Sequence, residues 1–412
     1  MKKVALTLAS VLAAAAFAPE ASAIPAFARQ TGMACSACHQ QHYPVLNGFG
    51  QAFKSAGYTM MGSQGKVEGE HLSIPDTMNA AILLKARYQK GTQKDAAADA
   101  VAGMTTNSGQ WQIPDELSLF FGGRVADAGA LKIGFMNENN MVGGPAGGII
   151  AGIKVPVVFD LDTVKILAVP YVTDALGSAY GFDLSSTGMT RGIRWAEHRK
   201  DISAMQYTGM MSGAASGLAF AAVHEMGYIN VSKWSPAFAY VPDATGIQMS
   251  ANLVRVAATP TIAGFAMQIG AASLSGNNLD DPWTGSTAKT DVKGTAVDFQ
   301  AMGEVGGKDL SIYATYASVP KASYYNGGAN DISAMTIGAD YSVIQHALHI
   351  GAAYRGGKNA AAESDNAVTL MAVYDLTQNV AVHVNQSMYS GTAASNAGAD
   401  TALTTFLLEM AW

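Results

Sequence analysis

The chain is short of cysteine, of charge and of long apolar runs, and each shortage closes off a class of protein. Only two cysteines occur in 412 residues. A disulfide-built scaffold is therefore excluded, and a structural zinc site made from paired clusters has no second cluster to draw on. Charged residues make up 14% of the chain, against about 25% in an ordinary water-soluble domain. Beyond residue 23 no stretch reaches the roughly 18 consecutive apolar residues that mark a membrane-spanning helix. The net charge of −6 is mild and no basic patch occurs, so nucleic acid is not an expected partner.

Glycine, by contrast, is abundant at 44 residues, and the mean hydropathy is positive at +0.14. Low charge without apolar helices has one well-known physical solution, a closed β-barrel whose outer face meets lipid. Its strands alternate apolar-out and polar-in, which dilutes hydropathy below the level that reveals a helix. The first 23 residues read as a secretory signal. Lys2 and Lys3 form the charged start, Val4 to Ala18 the apolar stretch, and Ala21-Ser22-Ala23 the cleavage site, so the mature chain is expected to begin at Ile24 outside the cytoplasm.

From Met78 to Trp412 the period is two. Met78, Ala80, Ile82, Leu84, Ala86 and Tyr88 suit lipid, while Lys85 and Arg87 on the alternate set suit a wet lumen. Leu117, Leu119, Phe121 and Val125 share a face that Leu131, Ile133 and Phe135 resume after a turn at Asp127-Ala128-Gly129. Similar hairpins are expected for Phe299 to Val305 with Leu310 to Ser318, and for Val368 to Tyr374 with Val380 to Met388. The pattern predicts a mainly β transmembrane barrel of about 16 antiparallel strands over residues 76–412, placed in a bacterial outer membrane. The polar stretches 90–110, 275–294, 356–366 and 391–400 read as long loops on the extracellular side. Thr404, Phe406, Leu408, Met410 and Trp412 then alternate to a terminal aromatic, which looks like the recognition signal of such barrels.

Residues 24–75 precede the first strand and contain both cysteines, in Cys35-Ser36-Ala37-Cys38-His39. In an exported protein Cys-x-x-Cys-His is the attachment signal for one c-type haem. The spacing lets Cys35 and Cys38 add to the two vinyl groups and brings His39 beneath the iron as axial ligand. A dithiol redox centre would expect a βαβ surrounding that is not present, and a plain disulfide leaves His39 without a reason. A short helix is expected to start at Pro44 and end at Gly57, laying Leu46, Phe49 and Phe53 against the porphyrin. About 50 residues rarely hold a core alone, so this small α-helical monohaem segment is expected in the mouth or lumen of the barrel. For the second axial position Met60 or Met61 is preferred, with His71 or a lumen residue as alternatives; His42 lies too close to His39 to reach the other haem face.

The run Ile24-Pro25-Ala26-Phe27-Ala28-Arg29-Gln30-Thr31-Gly32-Met33-Ala34 leading into Cys35, and Tyr43-Pro44-Val45-Leu46-Asn47-Gly48-Phe49-Gly50-Gln51-Ala52-Phe53-Lys54 after it, resembles the start of the fused monohaem cytochrome–porins, the outer-membrane iron oxidases of iron-oxidising bacteria. That family usually has phenylalanine and arginine where this chain has Tyr43 and Gln51. The resemblance implies haem thioethers at Cys35 and Cys38, axial ligation by His39, and a 16-stranded barrel around the cytochrome. It also implies oxidation of extracellular Fe(II), with electrons passed through the haem to a periplasmic cytochrome or other soluble carrier. The alternatives are a general outer-membrane electron conduit for another donor or acceptor, and a diffusion porin with a haem plug or sensor. Asp280, Asp281 and Asp291 offer charge that attracts Fe(II), although ordinary solvated loop charge accounts for them better. Asp115, Glu116 and Glu138 fall near the expected lumen rim, where nothing in the sequence singles them out.

Overall fold

The structure, a computed structural model, describes residues 26–40, 45–70, 72–93, 106–141, 150–187, 198, 203–238, 248–280, 289–396 and 399–412. The expected signal sequence, Pro44, His42 and His71 lie outside these residues, as does Asp281, and the side chain of Asp280 is not described. Within them no helix is long and apolar enough to cross a membrane.

Sixteen antiparallel strands close on themselves. In chain order they are β1 (Ala80–Lys90), β2 (Gln110–Ala128), β3 (Leu131–Asn140), β4 (Ile150–Lys154 continued by Val157–Asp160), β5 (Val164–Thr173), β6 (Ala215–His224), β7 (Gly227–Ser235) and β8 (Ala251–Ala258 continued by Thr261–Ile262). The second half is β9 (Phe265–Asp280), β10 (Lys289–Val305), β11 (Lys308–Val319), β12 (Ile332–Ile344), β13 (Leu348–Lys358), β14 (Ser364–Thr377), β15 (Val380–Ser390) and β16 (Ala402–Ala411). The breaks in β4 and β8 fall at Pro156 and Pro260, which have no N–H to give to the ladder. The expected hairpins are present, with strands longer than the alternation alone suggested: β10 and β11 meet at the two-residue turn Gly306-Gly307, β14 and β15 at Gln378-Asn379.

Closure is made by β16 against β1, from Thr404 opposite Lys90 to Ala411 opposite Leu83. The alternation follows the sequence. On β1, Ala81, Leu83, Lys85, Arg87 and Gln89 are buried on the inside; on β16, Leu403, Thr405, Leu407, Glu409 and Ala411 are. Large apolar side chains stand exposed on the outside, among them Phe220, Ile229, Val256, Ile269, Val297, Ile337 and Phe406, the composition of a lipid-facing band. Short turns of two or three residues lie at one end, together with the start of β1 and the end of β16, and the long connections lie at the other. The result is a closed antiparallel barrel with an apolar outer band.

The lumen is filled. The described parts of the connection between β5 and β6, residues 174–187, 198 and 203–214, fold inward instead of standing above the rim. Phe182 and Leu184 from its first half, and Ala204, Met205 and Met210 from its second, are buried with Val169, Trp234 and Leu253 of the wall. Helix α4 (Ala204–Thr208) is started by a reciprocal cap between Ser203 and Gln206. The connection bonds to strand after strand: Lys154 Nζ donates to the Tyr180 carbonyl at 3.2 Å, Asn230 Nδ2 to the Phe182 carbonyl at 2.7 Å, and Thr315 Oγ1 to the Thr187 carbonyl at 3.1 Å. On the far side Gln89 Nε2 donates to the His198 carbonyl at 2.8 Å.

At its centre lies a buried charge network. Arg255 donates to Asp183 Oδ1 at 2.8 Å and to both oxygens of Asp298 at 2.7 and 3.0 Å, and the Tyr228 hydroxyl donates to Asp183 at 2.6 Å. Burial pushes the Asp183 carboxyl up, but Arg255, Lys54 and hydrogen bonds from Ser185 and Tyr228 outweigh it and hold the group below its ordinary value. Removing one member strands the others, at a cost of about 3–5 kcal/mol. Asp183→Ala is therefore expected to free residues 174–214 from the wall and speed their proteolysis in the detergent-solubilised barrel by at least ten-fold. In the wild type a depressed folded pKa means the contribution of Asp183 is complete above the ordinary carboxylate value of 3.8 and fades only as pH falls through the lower folded value. Protease resistance of this segment should accordingly be flat from pH 7 to about pH 4 and fall below that.

Candidate functional site

The segment before the barrel packs as three short helices inside the short-turn end. They are α1 (Ala26–Thr31), α2 (Cys35–Cys38) and α3 (Gly48–Ser55). Helix α3 starts later than Pro44, because Asn47 caps it: its Oδ1 accepts from the Gly50 N–H at 3.0 Å. The same side chain donates to the carbonyls of Ala37 (3.1 Å) and Ser36 (3.3 Å), and the Asn47 N–H donates to the Cys38 carbonyl at 3.0 Å. One asparagine thus ties the cap of α3 to the cysteine turn. The helix ends at Gly57, as the sequence indicates, with a positive φ of 68°. Phe27 stacks on Tyr58 at 4.9 Å and meets Phe53 edge-on at 5.2 Å, giving the segment a small aromatic core.

Specific hydrogen bonds dock this unit to the barrel. Fully buried Gln30 donates to the carbonyls of Tyr58 and Met60, both at 2.7 Å, and its Oε1 accepts from the Arg124 N–H at 3.0 Å and from Asn79 at 3.2 Å. Arg29 Nε donates to the Ala80 carbonyl at 3.0 Å, and the Leu46 N–H donates to Ser186 of the inward connection at 3.2 Å. Gly134 of β3 makes the approach possible, since a Cβ there would lie 1.7 Å from the Gly57 carbonyl. After Thr59 the chain leaves the lumen and forms an exposed hairpin of Lys66–Gly69 with Leu72–Pro75.

Between this unit, the wall and the inward connection lies a cavity of about 470 Å³, within the range of ligand pockets. Cys35, Cys38 and His39 all line it. Leu46, Phe53 and Phe120 give it apolar walls, and Lys54, Lys85, Glu116, Glu138 and Lys154 give it charge. Both thiols are free, and burial pushes both up, Cys35 to about 11 with Asp375 adding to the effect. Held as neutral thiols, they are poorly suited to disulfide exchange at neutral pH. His39 Nδ1 donates to the Val45 carbonyl at 3.2 Å, which orients the ring.

The arrangement revises several expectations. Phe49, in the first turn of α3, is 39% exposed and does not line the cavity, whereas Phe53 one turn later does. Met60 and Met61 do not line the cavity, whereas Met33 and Met136 do. Met136 was legible in principle, since the alternation that sends Leu131, Ile133 and Phe135 outward sends it inward. Glu116 and Glu138 reach the cavity and Asp115 instead pairs with Arg87 at 2.6 Å. Asp291 pairs with Lys293 at 2.8 Å, and among the described residues no group of three or more His, Cys, Asp or Glu side chains converges on a point. A second recess, of about 770 Å³, lies on the lipid face beside Val256, Ile269 and Val297 and has no part in this chemistry.

No protein-family model matches the chain, and no curated protein does. Solved structures do. The chain is similar to OmpF of Salmonella typhi, solved in complex with daunomycin, at a TM-score of 0.54 and 14% identity over 84% of this chain and all of that one. It is similar to the anion-selective porin from Comamonas acidovorans at 0.52 and 15%, over 82% and 99% of the two chains. The outer-membrane channel DcaP of Acinetobacter baumannii gives 0.51 and 11%, over 81% and 97%. What is shared at this distance is the fold.

A Cβ added at Gly50 would sit 2.1 Å from the Cys38 carbonyl oxygen, so α3 and the cysteine turn must separate in Gly50→Ala. With overpacking worth about 1–3 kcal/mol, alkylation of Cys35 and Cys38 in the haem-free variant should run roughly ten-fold faster than in the haem-free parent.

Proposed function

We propose that the chain is an outer-membrane iron oxidase: a barrel that holds one covalently attached c-type haem in its lumen, takes electrons from extracellular Fe(II) and delivers them to a periplasmic carrier. The observation that carries this reading is the cavity lined by Cys35, Cys38 and His39 within the barrel wall. The residues fit the group. Two free thiols three positions apart share one helical turn, the neighbouring imidazole has its Nδ1 occupied by a carbonyl, and the surrounding walls are largely apolar. When bound, such a haem supplies a reversible one-electron carrier whose potential depends on its axial ligands and burial.

The protein's own part is positioning and insulation. Cys35 and Cys38 tether, His39 ligates, and Met33 and Met136 offer thioether sulfurs to the same cavity. Gln30 and Asn79 hold the unit against the inner wall, so a redox group there is shielded from hydrocarbon by β1 to β4. The short-turn end, where Gln378 O lies 3.9 Å from Cys35 Sγ, is the side on which a soluble carrier would dock. Iron as the donor rests on the resemblance of residues 24–54.

A second reading is a diffusion porin whose N-terminal segment is a haem plug or sensor. The fold shared with the Comamonas and Salmonella porins favours it. Against free diffusion stands the connection 174–214, which touches both sides of the lumen.

Detergent-purified protein, oxidised and then mixed with Fe(II) without oxygen near neutral pH, should show rapid haem reduction. A spectrum that stays oxidised contradicts the iron reading, and reduction only by other donors points to a general conduit. In proteoliposomes the wild type should pass small solutes far more slowly than an open porin; comparable flux favours the second reading. Replacing both Cys35 and Cys38 by alanine should abolish covalent haem on a denaturing gel while the barrel still folds.

A further inference from the structure

Two of the three lysines that line the cavity make no contact ion pair among the described residues. Lys85 is spoken for, with Glu116 at 2.9 Å and Glu409 at 3.6 Å. Lys54, on α3, and Lys154, on β4, also line the cavity, and among the described residues neither has a carboxylate within ion-pair distance. Lys154 Nζ spends one donor on the Tyr180 carbonyl at 3.2 Å and sits 4.2 Å from the centre of that ring. Lys54 is half-buried, and Asp183, whose charge acts on it, is bonded to Arg255. Burial pushes the Lys54 ammonium down from its ordinary value and Asp183 pulls it back up. Glu138 faces the same space and acts on Lys154 from beyond ion-pair distance.

Ammonium groups without a contact partner in an enclosed, largely apolar space are costly, and an anionic guest that bonds them directly relieves the cost. A haem tethered here brings two carboxylates of its own. We propose that Lys54 and Lys154 bind the haem propionates, so that they orient the porphyrin plane and keep both propionates ionised. This inference rests on the haem reading and adds the residues that set the angle and charge environment of the group, which attachment at Cys35 and Cys38 alone leaves open. Both lysines act as positioning residues. Neither ligates the iron nor bonds the porphyrin.

The test compares wild type with Lys54→Gln, Lys154→Gln and the double variant, each purified with its haem content measured as a pyridine haemochrome. Covalent haem per chain should stay at the wild-type level. The midpoint potential should move negative in each single variant and further in the double, because positive charge beside the iron favours the reduced form. In the double variant the midpoint should also fall with rising pH between roughly pH 5 and pH 8 as released propionates titrate, whereas the wild type stays flat there. Lys54→Arg should retain the wild-type potential. As a check that needs no variant, infrared spectra of wild type with isotope-labelled propionate carboxyls should show ionised carboxylates at about pH 5, where an unpaired buried acid would be protonated.

Normal haem content with an unchanged potential and pH profile in the double variant, or labelled propionates already protonated at about pH 5 in wild type, overturns the propionate assignment and leaves the haem reading standing. Absence of covalent haem from the wild type overturns the reading itself. A change confined to the ion selectivity of reconstituted barrels would make the two lysines an anion constriction and also overturns the assignment.

Discussion

Closure of the sheet, β16 against β1, is the constraint from which the rest follows. In hydrocarbon every backbone N–H and C=O needs a partner within the protein, and a sheet meets that demand only without edges. Sixteen strands make a ring wider than their own inward side chains can fill. The interior must then hold water, a ligand or more chain. Here more chain enters from both ends: residues 26–40 and 45–59 from the short-turn side, and residues 174–187 and 203–214 from the other. Their meeting at Leu46 and Ser186 bounds the cavity on which the functional reading depends.

Much of the wall was legible because period-two alternation is a local property. Lys85 and Arg87 read inward, and Ala80, Ile82, Leu84, Ala86 and Tyr88 outward, from the residues alone, and the structure keeps that alternation. That Cys35, Cys38 and His39 stand together was legible because they form a contiguous motif, and the structure places all three on one cavity. The inward connection was not legible. Phe182, Leu184, Met205 and Met210 look like strand residues, and only their packing on Trp234 and Leu253, distant in sequence, shows what they cover. The start of α3 was missed because Pro44 is a plausible first helical residue, while the deciding interaction, Asn47 with the Gly50 N–H, is a side-chain hydrogen bond. Met33 and Met136 escaped notice among 20 methionines because lining a shared cavity is a tertiary fact.

The wall is a closed barrel, while much of the described interior is packed like a core. Arg255 between Asp183 and Asp298, with Tyr228 and Gln268 beside it, lies where an open porin would hold water. Such a network is stable only when every member is present, so the inward connection is held as a unit. For a solute channel that arrangement is an obstruction. For a redox site it is insulation: it excludes water from the apolar side of the cavity and gives fixed dipoles to tune whatever the cavity holds.

The most direct measurement is an experimental density map of the protein purified from outer membranes. The account predicts porphyrin density inside the barrel wall, continuous with the sulfurs of Cys35 and Cys38 and bounded by His39, Leu46, Phe53 and Phe120. Unmodified thiols in a cavity without porphyrin, or a haem attached beyond the rim of the barrel, would contradict it.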